Sequence, residues 1–151
     1  MLRPKLTESL KTAMKAQEAR TVSTIRMILA GIKDRDIAAR AKGNQTGIDD
    51  TEIQQLLQSM AKQRRESVEL YEKGGRPELA AQELAEIAII EGFLPTQLTE
   101  AEAIEAVDGA IKETGAAGVK DMGRVMAILK ERYSGRLDFS KAGPLVKGRL
   151  G

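Results

Sequence analysis

Phe93-Leu94-Pro95-Thr96-Gln97-Leu98-Thr99-Glu100-Ala101-Glu102 divides this chain, and its reading decides the fold. Pro95 has no N–H and pushes Leu94 away from helical dihedrals, so the apolar-periodic run ending in Phe93 and Leu94 stops there. Thr99 with Glu102 three residues on has the pattern of a capping box, in which each side chain satisfies an orphan backbone donor of a new helix. A helix stop followed at once by a helix start predicts two helical bodies, residues 1–94 and 95–151.

Upstream of the junction, Pro77 suits the first position of the helix that runs to Phe93-Leu94. Gly74-Gly75 ends the helix before it, which Asp49 or Asp50 caps with Glu52 in the first turn. Gly43-Asn44-Gln45-Thr46-Gly47 is a loop by turn chemistry. Before it, Leu2, Leu6, Leu10 and Met14 mark one amphipathic helix; Val22, Ile25, Ile28, Leu29 and Ile32 mark a second, with Lys33, Arg35 and Arg40 off its apolar face. Downstream, Ala101, Ile104, Val107, Ala110 and Ile111 predict a helix ending near Gly115. Another, capped by Asp121, carries Met122, Val125, Met126, Leu129 and Tyr133. A short terminal helix starts at Gly143-Pro144 and carries Leu145, Val146 and Leu150. No segment alternates with strand period. The expectation is all-α: an amino-terminal four-helix region followed by a small three-helix tail domain.

The third and fourth helices hold the most informative detail. Ile53, Leu56, Leu57, Met60 and Tyr71 share a face, and Arg64 and Ser67 fall on it. On the fourth helix the stripe is Leu79, Ile90 and Phe93, with Glu83 and Glu86 inside it. Folding this hairpin about Gly75 sets Arg64 opposite Glu86 and Ser67 opposite Glu83, so the polar interruptions face one another. An Arg64–Glu86 ion pair and a Ser67–Glu83 hydrogen bond are predicted. A register-fixing structural pair is favoured over a ligand site.

Composition narrows the chemistry. With no cysteine there is no disulfide and no thiolate metal site, and with no histidine the commonest general base is missing. The glycine-rich stretches match neither a phosphate-binding loop nor a dinucleotide fingerprint. The acids at Asp49-Asp50-Thr51-Glu52 are explained by capping and the helix dipole. No catalytic centre, metal or cofactor is expected. No apolar run approaches the roughly 20 residues of a membrane span. Met1-Leu2-Arg3-Pro4-Lys5 lacks the apolar stretch of a signal peptide, so the expected setting is cytoplasmic.

The net charge of +2 conceals segregation. Residues 1–42 hold ten Lys/Arg against four Asp/Glu, residues 43–114 six against fifteen, and residues 115–151 eight against three. Basic ends around an acidic middle can face a polyanion such as RNA. Lys120, Arg124, Lys130, Arg132, Arg136 and Lys147 are the candidate phosphate contacts, a role that needs cations and no stacking aromatics when the target is a folded duplex.

Lys62-Gln63-Arg64-Arg65-Glu66-Ser67 with Tyr71, then Gly75-Arg76 with Glu78-Leu79, resembles the middle of YqeY-like proteins. So do Phe93-Leu94-Pro95 with Gln97-Leu98-Thr99-Glu100, Asp121-Met122-Gly123-Arg124, and Gly135-Arg136. The match runs in order along essentially the whole chain and departs at Phe139 through Pro144, where the family has a Gly-Lys-rich start to its last helix. The resemblance implies a helical fold of two parts, similar to the helical and tail domains of the GatB subunit of tRNA-dependent amidotransferases, in which the tail contacts tRNA. It implies tRNA or another structured RNA as partner, with an amidotransferase or aminoacyl-tRNA synthetase as possible protein partners. The family's association with glutamine-dependent carbon–nitrogen ligation implies an accessory role, because the chemistry of those assemblies resides in parts absent from this chain.

Overall fold

The structure, a computed structural model, describes all residues 1–151. It is all-α, with seven helices and no strand: α1 (Leu2–Lys15), α2 (Ala19–Ala41), α3 (Asp50–Lys73), α4 (Pro77–Glu91), α5 (Glu100–Thr114), α6 (Met122–Tyr133) and α7 (Phe139–Leu150). A short 3-10 turn, Val119–Asp121, precedes α6. The chain divides into two compact units, Met1–Leu94 and Pro95–Gly151.

In the first unit, Leu6, Ile25, Ile28, Ile53, Leu57 and Ile90 are almost wholly removed from water. Met14, expected in the α1 stripe, is half exposed, and Ala13 is buried in its place. The cause is geometric: a four-residue repeat drifts about 40° per step on a 3.6-residue helix, so by Met14 the row has left the core side. The Asp49 carboxylate accepts the Glu52 N–H at 2.9 Å and Glu52 reaches back to the Asp49 N–H, completing a capping box for α3. At the other end of the hairpin Gly75 takes φ +71, a conformation that costs glycine little. α4 ends at Glu91, earlier than Pro95 dictates, and Phe93 and Leu94 leave the helix while still packing on the core.

A polar clamp anchors α1 to the loop before α3. Arg3 donates to both Asp36 oxygens, at 2.9 and 2.7 Å, and to the Ile48 carbonyl at 2.9 Å. Asp36 in turn accepts the Ile48 N–H at 2.9 Å. The Arg3 bond, then the Ile48 bond, hold the Asp36 carboxyl at about 2, below its ordinary 3.8.

In the second unit Val107, Val125, Leu129 and Val146 form the centre of the core, with Tyr133 and Phe139 packed against it. The Thr99–Glu102 capping box is present, and Gly115 closes α5 at φ +66. Residues 95–98 are tied to the α6–α7 corner. The Gln97 amide donates to the Gly135 carbonyl at 2.5 Å, Leu98 N–H to the Arg136 carbonyl at 2.9 Å, and Arg136 Nε to the Thr96 carbonyl at 2.9 Å. Two expectations need correction. Asp121 precedes α6 but caps nothing with its side chain, which accepts the Ala117 N–H and Arg124 instead. The last helix begins at Phe139 rather than at Gly143-Pro144, because the Asp138 carboxylate accepts the Ser140 N–H and starts it a full turn earlier.

Candidate functional site

The polar seam of the α3–α4 hairpin forms as one ion pair. Arg64 Nε donates to Glu86 Oε2 at 2.9 Å. Its other nitrogens donate to the Met60 carbonyl at 3.1 Å and to the Met27 sulfur of α2 at 3.6 Å. Arg64 is 8% exposed, and the Glu86 side chain 23%. A buried guanidinium whose three nitrogens are all engaged has its charge answered and its donors spent on the fold, which is the arrangement of a register device. A second pair, Arg65–Glu91, bridges the same two helices. The Ser67–Glu83 bond is not formed. The Ser67 hydroxyl donates to the Gln63 carbonyl of its own helix at 3.2 Å, the usual local competitor for a helical serine. The buried face of α4 carries Ala80, Ile87 and Ile90, which puts Glu86 at its edge, while Glu83 is half-buried within it.

The six candidate cations of the second unit divide by side-chain type. Arg124 meets Asp121 at 2.6 Å, Arg132 meets Glu113 at 2.5 Å, and Arg136 is held by the Thr96 carbonyl. Arg149 joins them by pairing with Asp108 on α5. The Asp121, Glu113 and Asp108 carboxyls are all held below their ordinary values; a side-chain hydrogen bond from arginine dominates for Glu113 and Asp108, and the Ala117 N–H for Asp121. Lys120, Lys130 and Lys147 are exposed and pair with no acid of the chain. With successive residues about 100° apart, Arg124, Lys130 and Arg132 leave α6 in three directions, so this helix does not present them as one patch. Ile128 packs against the core of the unit and is not part of an exposed apolar patch.

Sequence reasoning passed over two features. Arg3 and Asp36 are 33 residues apart, and no local spacing signals a pair at that range. Arg26 was left out beside Lys33 and Arg40, although the seven-residue interval joining the three was there to be read.

The model of the Yqey-like protein family matches residues 3–150. "Altered inheritance of mitochondria protein 41, mitochondrial" of Lachancea thermotolerans is 35% identical over 89 residues, 59% of this chain and 46% of that protein. The protein of the same name from Eremothecium gossypii is 33% identical over 89 residues, with the same coverage. The chain thus spans about half the length of the curated relatives it matches. The chain belongs to the YqeY-like family.

Proposed function

We propose that this chain is a non-catalytic adaptor that holds a structured RNA, with tRNA the leading candidate, by its phosphates. The observation that carries the proposal is the exposure of Lys120, Lys130 and Lys147, three of the lysines in the second unit, which no acid of the chain neutralises. Lysine and arginine without base-reading geometry position a backbone and release its counterions; they do not read sequence. Arg124, Arg132 and Arg136 join only by exchanging their present partners for phosphate, which makes them secondary contacts. The polar centre at Arg64 and Glu86 supports the non-catalytic part, because its hydrogen bonds are spent on the fold. The proposed setting is the cytoplasm, and fractionation of the cell tests it.

Titration of the full chain with tRNA at low and moderate salt tests the RNA contact. Binding that weakens steeply with salt, and further on Lys120→Glu/Lys130→Glu/Lys147→Glu, is expected. Absence of binding even at low salt removes the proposal. Glutamine supplied with mischarged tRNA is expected to give no turnover, and turnover would make the chain an amide-transfer enzyme in its own right.

One observation favours a second reading, a module that docks on an amidotransferase or synthetase. The cations of α6 radiate instead of converging, as they would on a helix that meets protein rather than a phosphate backbone.

A further inference from the structure

The solvent side of α2 carries two parallel rows. Arg26, Lys33 and Arg40 stand seven residues apart, and beside them Ser23, Ala30 and Ile37 repeat at the same interval. All six are exposed, and Ile37 is 55% so although it is a large β-branched aliphatic. The buried residues of α2 (Thr24, Ile25, Ile28 and Ile32) lie on the opposite side. None of the three cations forms an ion pair in the chain; Arg40 adds only a distant field at Asp36. Seven residues span about 10.5 Å along a helix and drift only about 20° around it, so each row stays on one side of α2.

We infer that the outer face of α2 is a docking surface for an acidic amphipathic helix of a partner protein. Two features select a helix over a phosphate backbone. A seven-residue interval is the repeat by which one helix tracks another, charge row against charge row and small or apolar row against its counterpart. An exposed isoleucine between cations adds apolar contact that phosphates do not reward. The charge demands an acidic partner, since like charges across such a seam repel. A second copy of this chain does not meet the demand, because within its helices no two acids stand seven residues apart. The surface lies in the first unit and is independent of the RNA contact proposed for the second.

A side-chain-stapled helical peptide with Glu at every seventh position beside a row of Leu and Ala is the probe. Its control has the same composition with the Glu row moved to a five-residue interval. Titrated into the full chain, the first peptide is expected to bind at least about tenfold more tightly than the control. Arg26→Gln/Lys33→Gln/Arg40→Gln abolishes that preference, Ile37→Ser weakens it, and Lys120→Glu/Lys130→Glu/Lys147→Glu leaves it unchanged. Far-UV circular dichroism of each variant confirms that α2 remains helical. Equal binding of the two peptides, binding of neither, or a preference indifferent to the α2 triple variant overturns the inference. So does loss of tRNA binding on the α2 triple variant with the peptide preference intact, which would make this face an RNA surface. Failure of the tRNA titration alone leaves the peptide result standing and removes only the RNA proposal.

Discussion

Two residues of the first unit show how far a single contact determines behaviour. Asp36 is ionised in the fold down to about 2, against an ordinary 3.8. Its folded value is depressed, so its contribution to stability is complete above the unfolded value and is lost as pH falls through the folded one. Asp36→Asn is therefore expected to lower the melting temperature at neutral pH, by an amount that shrinks between pH 3.8 and about 2. A deficit that stays constant to pH 2 would show that Arg3 does not depend on the carboxylate charge. Thr24 is the opposite case: wholly buried, with a hydroxyl that finds no partner. Replacing such a group by one of its own shape removes an unmet hydrogen bond at little packing cost. Thr24→Val is expected to stabilise by about 1 kcal/mol, read from denaturant midpoints at unchanged slope.

At the scale of elements, the α3–α4 hairpin carries its ion pair as a coupled unit. Glu86→Ala leaves Arg64 buried without a counter-charge, so it is expected to destabilise strongly. A cycle with Arg64→Ala should return a coupling of about 0.5–3 kcal/mol. Additive losses would refute the pair. The α6–α7 corner offers a second check. Pro144 sits inside α7, where it removes the N–H that would bond the Ser140 carbonyl. Pro144→Ala is expected to raise stability by about 1–3 kcal/mol, and a loss would show that proline fixes a bend the unit needs. These elements also mark where the sequence was legible. The choice of Asp49 over Asp50 as the α3 cap came from the fold, whereas the cap at Thr99, the turn at Gly75 and the pairing of Arg64 with Glu86 follow from spacing alone. The rotation of α4 does not, because Ala80 contributes to the buried face by being small, and a search for large side chains passes over it. The start of α7 was hidden for a related reason: Pro144 is a strong signal for a first position, and the quieter cap at Asp138 prevails over it.

For the whole molecule, what matters is where unmatched charge remains. The acid-rich middle of the sequence supplies partners for several arginines, as in Arg132–Glu113 and Arg149–Asp108, while Lys120, Lys130 and Lys147 pair with no acid. Net charge along the sequence therefore overstated the arginines as contacts. Spacing told which residues are basic, and only the folded chain tells which are already answered. The expected signature is a plot of log affinity for tRNA against log salt with a slope of about −0.7 to −0.9 for each phosphate contact. The Lys120/Lys130/Lys147 reversal should reduce that slope by about 2–3, and Arg124→Gln by less. Equal losses from the arginine and the lysines would show that Asp121 does not compete.

Each unit encloses one of the chain's two tyrosines. Tyr71 packs against the small cluster of Val68, Ala80 and Ile87, and Tyr133 packs against the core of the second unit. With no tryptophan present, emission excited at wavelengths longer than phenylalanine absorbs comes from these two rings alone. Tyr133→Phe leaves a chain whose only emitter lies in residues 1–94, and Tyr71→Phe one whose only emitter lies in residues 95–151. The molecule thus carries a native optical label in each half, and the melting of either can be followed without attaching a dye.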